Sequence, residues 1–288
     1  MLISAPNVSE ALDRAVLEAV QRGFQPARLL DIHSDPDHGR SVFTLAAPQG
    51  ELAPALLGGA RAAVERIDVR GHRGVHPHVG ALDVLPVVYL DDAQRGAACA
   101  EALTAAALIG EELELPVFLY GELASRAEHA ERALLRRGGP AELARRLESG
   151  ELVPDYGPPR AHPTAGALLA AARPPLVAFN VELASDDLEL ARRIAAGLRE
   201  SGGGLPAVRA LGLRLGARGR VQVSTNVQDH RAVPLRLVLE RVREQAEVVQ
   251  AELVGLAPRA ALEGFPDDVP LRGFVPERHV IESALERL

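Results

Sequence analysis

The stretch PLVAFNVEL, from Pro175 to Leu183, decides how the second half of the chain folds. An apolar, β-prone run of this length that follows a proline-rich segment is typical of a β-strand. The elements predicted after it are a helix over 186–200, strands over 208–215 and 221–225 joined by the turn GARG (216–219), a helix over 234–249 and a strand over 251–256. This βαββαβ order predicts a ferredoxin-like unit, in which two helices pack on one face of an antiparallel sheet.

The first half of the chain looks like an elaborated version of the same unit. Predicted strands lie at 1–4, 27–32, 41–46, 84–90 and 117–120, and predicted helices at 8–22, 51–67, 91–113 and 136–150. Six prolines and several glycines make residues 151–175 loop-like. We therefore place the domain boundary near Ala172, with domains at 1–172 and 173–288. The fold class expected is α+β, with two tandem ferredoxin-like α/β sandwich subdomains, the first elaborated.

Composition excludes several classes of function. All 32 basic residues are arginine, so a lysine Schiff base and a Walker A phosphate loop are impossible. The net charge of -7 argues against general binding to nucleic acid or to an anionic membrane. Cys99 is the sole cysteine, which excludes an intramolecular disulfide and a thiolate metal cluster. With 47% hydrophobic residues, no apolar run of transmembrane length and no signal-like leader, the sequence predicts a cytoplasmic globular protein that acts on small molecules.

Histidines are concentrated in RGHRGVHPHVGALD, from Arg70 to Asp83, which contains His72, His76 and His78. Histidine is the side chain whose ordinary pKa lies near neutral pH, so this segment is the first candidate for proton transfer. Gly74 and Pro77 disrupt the helix that a helical HxxxH metal motif would need. We therefore expect no metal here, although a loop can still bring ligands together from distant residues. The alternative to a catalytic role is that these histidines are hydrogen-bonded structural residues.

A second polar segment is DIHSDPDHGRSVFTL, residues 31–45, where one strand ends and Arg40 leads into the next. In a βαββ unit these two strands are neighbours, so we expect the segment to meet the histidine loop at one end of the sheet. Asp35 or Asp37 could orient an imidazole or bind a cationic substrate group. The alternative is turn chemistry, since aspartate, proline and glycine are common in tight turns.

An ordered series of motifs gives this chain a family resemblance. The segment HRGVHPHVGALDVLPVV resembles the signature of glutamate formimidoyltransferases, a family that includes the formiminotransferase part of formiminotransferase-cyclodeaminase. Further matches follow the family order over nearly the whole chain: APNVSE, SDPDHGRSVFTLA, VFLYGELA, RRGG, PDYGP, the GA of residues 166–167, LVAFNVEL, VQVSTNV and ELVGLAP. The cyclodeaminase domain has no counterpart in this sequence.

The resemblance implies transfer of a formimino group from N-formimino-L-glutamate to N5 of tetrahydrofolate, a step of histidine degradation and one-carbon metabolism. It identifies His76, in the His-Pro dipeptide, as the general acid and base. The binding residues expected for formiminoglutamate and folate are Asn7, His33, Asp35, Asp37, Arg40, Arg73 and Gly80. Tetrahydrofolate enters as the acceptor substrate, no metal is expected, and the resemblance alone implies a homodimer. Arg160 and Arg173 are the expected contacts of the folate glutamyl tail.

Departures from the family pattern define the alternative functions. The chain has NVSEA where the family usually has NFSEG, which places Val8 and Ala11 at the aromatic and glycine positions. It also has Gly39 in place of asparagine, and His78-Val79 in place of an Arg-Met pair. The alternatives are a divergent paralogue that uses another formimino donor or acceptor, and a non-catalytic folate-binding protein.

Overall fold

The computed structural model describes residues 1–216 and 219–288, so Ala217 and Arg218 of the predicted GARG turn lie outside the described residues. The chain divides into two compact units, Met1–Pro174 and Pro175–Leu288. Each unit combines helices with a β-sheet, as expected for an α+β protein. Within the described residues, none of the helices has both the length and the apolar character needed to cross a membrane.

The first unit is built on a seven-stranded sheet. Its strands are β1 (Leu2–Ser4), β2 (Asn7–Val8), β3 (Arg28–Asp35), β4 (Arg40–Ala47), β5 (Leu82–Val88), β6 (Val117–Leu119) and β7 (Leu168–Arg173). Its helices are α1 (Arg14–Gly23), α2 (Leu52–Arg66), α3 (Arg95–Glu112), α4 (Arg132–Leu135) and α5 (Gly139–Glu148). Strands β1 and β2 both lie between β4 and β5 and pair antiparallel with each of them. Strands β3 and β4 pair antiparallel, whereas β7 pairs parallel with β5 and β6.

The two faces of this sheet are covered differently. On the first face, a large apolar core joins the sheet to α1, α2 and α3, with Phe24, Phe43 and Ile109 fully buried. On the second face, a smaller apolar cluster includes Val84, Phe118, Leu135, Leu143 and Leu169, so it joins β5, β6 and β7 to α4 and α5. The second face at β3 and β4 has a different, polar character, and it is there that the candidate site lies.

The second unit contains a four-stranded antiparallel sheet in the order β11-β8-β10-β9. Its elements are β8 (Val177–Leu183), α6 (Leu188–Leu198), β9 (Val208–Leu215), β10 (Arg220–Val227), α7 (Leu235–Arg243), β11 (Val248–Leu253), α8 (Pro276–His279) and α9 (Ile281–Leu285). Alternating residues such as Val181 and Val223 pack against Ile194 of α6 and Val238 of α7. The predicted βαββαβ order is therefore present in this unit.

Several element predictions were wrong. Residues 168–173, expected in a loop, form β7, which lies between β5 and β6 in the sheet. The sequence LLAAAR gives no helical or alternating signal because β7 is buried on both faces. The helix expected from Val8 begins only at Arg14, because the Asp13 side chain caps it by accepting the backbone N–H of Ala15 at 2.9 Å. The helix expected to reach residue 249 ends at Arg243.

The histidine segment joins the sheet where two glycines approach each other. Gly80, just before β5, forms an antiparallel bridge with Gly166, just before β7. A Cβ atom on Gly80 would collide with the carbonyl oxygens of Ala165 and Ala167, which are backbone atoms that cannot rotate away. A glycine is therefore required at position 80 for close packing of backbone against backbone.

We predict that Gly80→Ala lowers the free energy of unfolding by about 3 kcal/mol, because the added methyl group forces two strands apart. Gly96→Ala is the matched control, since Gly96 lies in α3 and a Cβ atom added there would meet nothing within 4 Å. That change should raise the free energy of unfolding by about 0.5 kcal/mol through helix propensity. Urea denaturation measures both values, and equal stabilities for the two variants would contradict the proposed packing.

Candidate functional site

Strand alternation gathers several of the predicted site residues on the second face of the first sheet. Arg40 of β4 lies opposite Asp35 of β3, and Val42 lies opposite His33. Asn7 of β2 is the neighbour of Val42 on the other side. Residues directly opposite each other in a sheet share a face. Asn7, His33, Asp35 and Arg40 therefore line the same surface.

The two polar segments found in the sequence meet at this surface, as predicted. The Val75 backbone N–H donates to the carbonyl oxygen of Asp37 at 3.2 Å. The rings of His38 and His76 are tilted against each other with centroids 5.9 Å apart. The turn that contains His38 is closed by its backbone N–H, which donates to the Asp35 carboxylate at 3.0 Å. The histidine loop is therefore held against the β3–β4 turn by backbone and ring contacts.

His76 is bound directly by Arg40. The Nη1 atom of Arg40 lies 2.8 Å from Nε2 of His76. A guanidinium group has donors and no acceptor, so Arg40 donates and Nε2 accepts. The imidazole is therefore neutral, with its lone pair on Nε2 and its proton on Nδ1.

Electrostatics favour the same protonation state. Burial is the largest cause that holds the pKa of His76 well below its ordinary value of 6.5, and the positive charges of Arg40 and Arg136 lower it further. Burial, followed by the charge of Arg136, lowers the pKa of Arg40 to about 10. At neutral pH the arginine stays charged and the histidine stays uncharged. His76 is thus an unprotonated base in a partly buried, positively charged setting.

Asp83 connects the histidine loop to the end of α4. Asp83 is 1% exposed. One carboxylate oxygen accepts the backbone N–H of Val79 at 2.8 Å, and the other forms an ion pair with Arg136. The loop is further fixed by Ser9, whose Oγ donates to the carbonyl oxygen of Gly80 at 2.7 Å. These contacts limit the motion of the chain that follows His76.

Further arginines lie on the same face of the sheet, and two of them, Arg132 and Arg136, act on this pair. Arg132 begins α4, Arg136 directly follows its last residue, and Arg173 ends β7. The charges of Arg132 and Arg136 both lower the pKa of Arg40 and of His76. The RRGG motif contains Arg136 and so offers a signal in the sequence, but no spacing rule links Arg136 to Arg173, which lies 37 residues further along the chain.

The other predicted residues are placed less directly. Arg73 and Arg160 are exposed, whereas Gly80 is buried and presents its carbonyl oxygen to Ser9. His72 and His78 pack edge to face with centroids 4.2 Å apart.

A metal ion at His76 would have to displace a guanidinium group and lie among several positive charges, which electrostatics disfavour. Nothing in this arrangement of charges suits a divalent cation at Nε2.

Comparisons with known proteins agree with the resemblance. A family model described as the N-terminal subdomain of the formiminotransferase domain matches residues 1–173, and one described as the formiminotransferase domain matches residues 178–265. A glutamate formimidoyltransferase of Streptococcus pyogenes is 37% identical, over 89% of each chain. One of Thermoplasma acidophilum is 33% identical, over 98% of this chain and 96% of the relative. The formimidoyltransferase-cyclodeaminase of Rattus norvegicus is 35% identical, over 98% of this chain and 55% of the relative.

We predict that His38 makes the fold sensitive to acid. Burial lowers the pKa of His38 from 6.5 to about 4, so the unfolded chain binds this proton at a higher pH than the folded chain does. The stabilisation is complete above pH 6.5 and is lost as the pH falls from 6.5 to about 4. The loss should amount to about 3 kcal/mol over this range. Urea titrations at pH 7.0, 5.5 and 4.5 measure the free energy of unfolding, and His38→Gln should remove this part of its dependence on pH. If the free energy of unfolding falls equally with pH in the variant and in the wild type, His38 does not make the fold sensitive to acid.

Proposed function

The chain belongs to the formiminotransferase family, and we propose that it transfers a formimino group from N-formimino-L-glutamate to N5 of tetrahydrofolate with His76 as the general acid and base. The observation that supports this role for His76 is the hydrogen bond from Arg40, in which Nη1 of Arg40 lies 2.8 Å from Nε2 of a neutral imidazole. A general base must be unprotonated at the working pH, and the lowered pKa of His76 meets this need.

The proposed reaction moves one proton and exchanges one carbon–nitrogen bond for another. N5 of tetrahydrofolate attacks the amidine carbon, and Nε2 of His76 accepts the proton from N5. The resulting imidazolium then protonates the glutamate nitrogen of the tetrahedral intermediate. The bond from the formimino carbon to that nitrogen breaks, which yields 5-formiminotetrahydrofolate and L-glutamate and restores neutral His76.

Arg40 and Asp35 have complementary proposed roles. Arg40 occupies Nε2 before substrate arrives, and a substrate carboxylate is a better acceptor for its guanidinium group than an imidazole is. Binding of the donor would thus free Nε2 for N5. Asp35, buried and opposite Arg40, is the proposed partner of the positive charge on the protonated formimino group, which makes the carbon more electrophilic.

The proposal extends to the remaining contacts and to the assembly. We assign Asn7, His33, Asp37, Arg73 and Gly80 to contacts with formiminoglutamate or folate, with no resident metal. The domains are taken as 1–172 and 173–288. The strand order β11-β8-β10-β9 supports a ferredoxin-like second subdomain, and the order β3-β4-β1/β2-β5 supports an elaborated version in the first. A homodimer, on the family resemblance, and a cytoplasmic location, on the sequence pattern, complete the proposal.

A turnover assay with N-formimino-L-glutamate and tetrahydrofolate tests this function. The wild-type protein should form 5-formiminotetrahydrofolate, and His76→Gln should lower kcat by about 100-fold or more through loss of the proton shuttle. His279→Gln, in the second unit, is the control and should keep wild-type turnover. Wild-type turnover in His76→Gln would exclude the proposed role of His76.

The same assay separates the alternative functions. A divergent paralogue would transfer the group only when another formimino donor or another acceptor is supplied. A non-catalytic folate-binding protein would bind folate in calorimetry without forming product above background. The substitutions at Val8, Ala11 and His78 are the observations that favour either alternative.

A further inference from the structure

Three arginines of the first unit lie on the second face of its sheet, and two of them have donors left over. Arg132 and Arg136 are four residues apart at the two ends of α4, so they lie on the same side of one helical turn. The side chain of Arg136 is only 9% exposed, and its Nε has no hydrogen-bond partner among the described residues, although a terminal nitrogen pairs with Asp83. The Nε of Arg173 is likewise buried without a partner within residues 1–216 and 219–288. Buried guanidinium donors are costly to leave unpaired.

The fold fixes where these donors meet. Leu135 of α4 packs into the apolar cluster on the second face, together with Ala171 of β7. Arg173 follows Ala171 by two residues in the same strand and therefore lies on the same face. The guanidinium carbon of Arg132 lies 5.7 Å from the ring centroid of Tyr120, which belongs to that cluster as well. Helix α4 and the end of β7 thus present guanidinium groups over one patch of the second face.

The charges in this patch do not balance. With Arg40, four guanidinium groups lie close enough to influence one another or His76. The carboxylates that offset the charge of Arg40 are Asp83 and Asp35. Four guanidinium groups beside these two carboxylates leave an excess of positive charge, which suits an anionic ligand such as a dicarboxylate. Arginine binds a carboxylate bidentately, with both charge and geometry favourable.

We propose that Arg132, Arg136 and Arg173, together with Arg40, form the site for the two carboxylates of the formimino donor and thereby select dicarboxylate donors. This inference rests on the proposed function. The nearest carboxylate of formiminoglutamate is only a few bonds from the reacting carbon, so a site beside His76 is within its reach. The glutamate tail of folate has the same chemistry, but the p-aminobenzoyl group separates it from N5. The position of Arg132 and Arg136 near His76 therefore favours the donor.

Binding of simple acids tests the site without turnover. In calorimetry without folate, glutarate should bind the wild-type protein at least tenfold more tightly than butyrate. Arg173→Leu and Arg132→Leu should each weaken glutarate binding by about 30-fold, the effect of losing one charge-assisted contact. Arg137→Leu is the matched control, because the side chain of Arg137 is 65% exposed, and it should bind glutarate as the wild type does.

Thermal melting keeps the test valid if a variant is less stable. Removal of an excess buried charge should leave Tm without ligand unchanged or higher, and glutarate should raise Tm in the wild type and in Arg137→Leu but not in Arg173→Leu. Arg173→Gln repeats the measurement with a polar side chain. Glutarate binding that is equal in the wild type, Arg132→Leu and Arg173→Gln would overturn the proposal.

Kinetics separate this inference from the proposed function. In the wild type, kcat/KM should be at least 100-fold higher for formiminoglutamate than for formiminoglycine, and Arg173→Leu should reduce that ratio to below 10. If no donor is turned over, the proposed function fails while the glutarate result still stands or falls by itself. If Arg173→Leu keeps the donor ratio but binds folate no better than pteroate, which lacks the glutamate, the site holds the folate tail and the donor proposal is wrong.

Discussion

A single hydrogen bond, from the guanidinium group of Arg40 to Nε2 of His76, determines the protonation state on which the rest of the site depends. Because arginine can only donate, this contact requires a neutral imidazole with its lone pair on Nε2. Burial and the neighbouring positive charges oppose a second proton on the ring. The same charges that prepare the base are the ones that would attract an anionic substrate.

The fold creates this setting by covering only part of one sheet face. Helices α4 and α5 pack on the second face over β5, β6 and β7, and α4 thereby brings Arg132 and Arg136 toward the histidine loop. Asp83 then ties that loop to the end of α4 through the Val79 amide and Arg136. The bridge between Gly80 and Gly166 leaves no room for a side chain, so the loop leaves the sheet at a fixed point. Packing and electrostatics are therefore coupled through a short stretch of chain.

Local sequence signals were sufficient for some parts of this structure. The second unit followed from its strand and helix patterns because each strand there has one buried face, which leaves a readable alternation. The meeting of the histidine loop with the 35–40 turn followed from the adjacency of β3 and β4. Arg40 and His76 were both named from the sequence, His76 through the family resemblance.

Other features depend on contacts that no local pattern encodes. Strand β7 is alanine-rich and buried on both faces, so its sequence has neither the helical nor the alternating signal. The grouping of Arg132 and Arg136 with Arg173 requires that β7 be inserted between β5 and β6, which is a long-range pairing.

The protonation state of His76 is the central claim, and ¹⁵N NMR of the histidine-labelled protein tests it most directly. His76→Gln identifies the resonances by their loss. At pH 7 the His76 ring should be neutral, with Nδ1 protonated and Nε2 unprotonated, and it should remain neutral below pH 6.5 because its pKa lies well below that value. An imidazolium at pH 7, or a neutral ring with the proton on Nε2, would contradict both the contact with Arg40 and the role of His76 as a base.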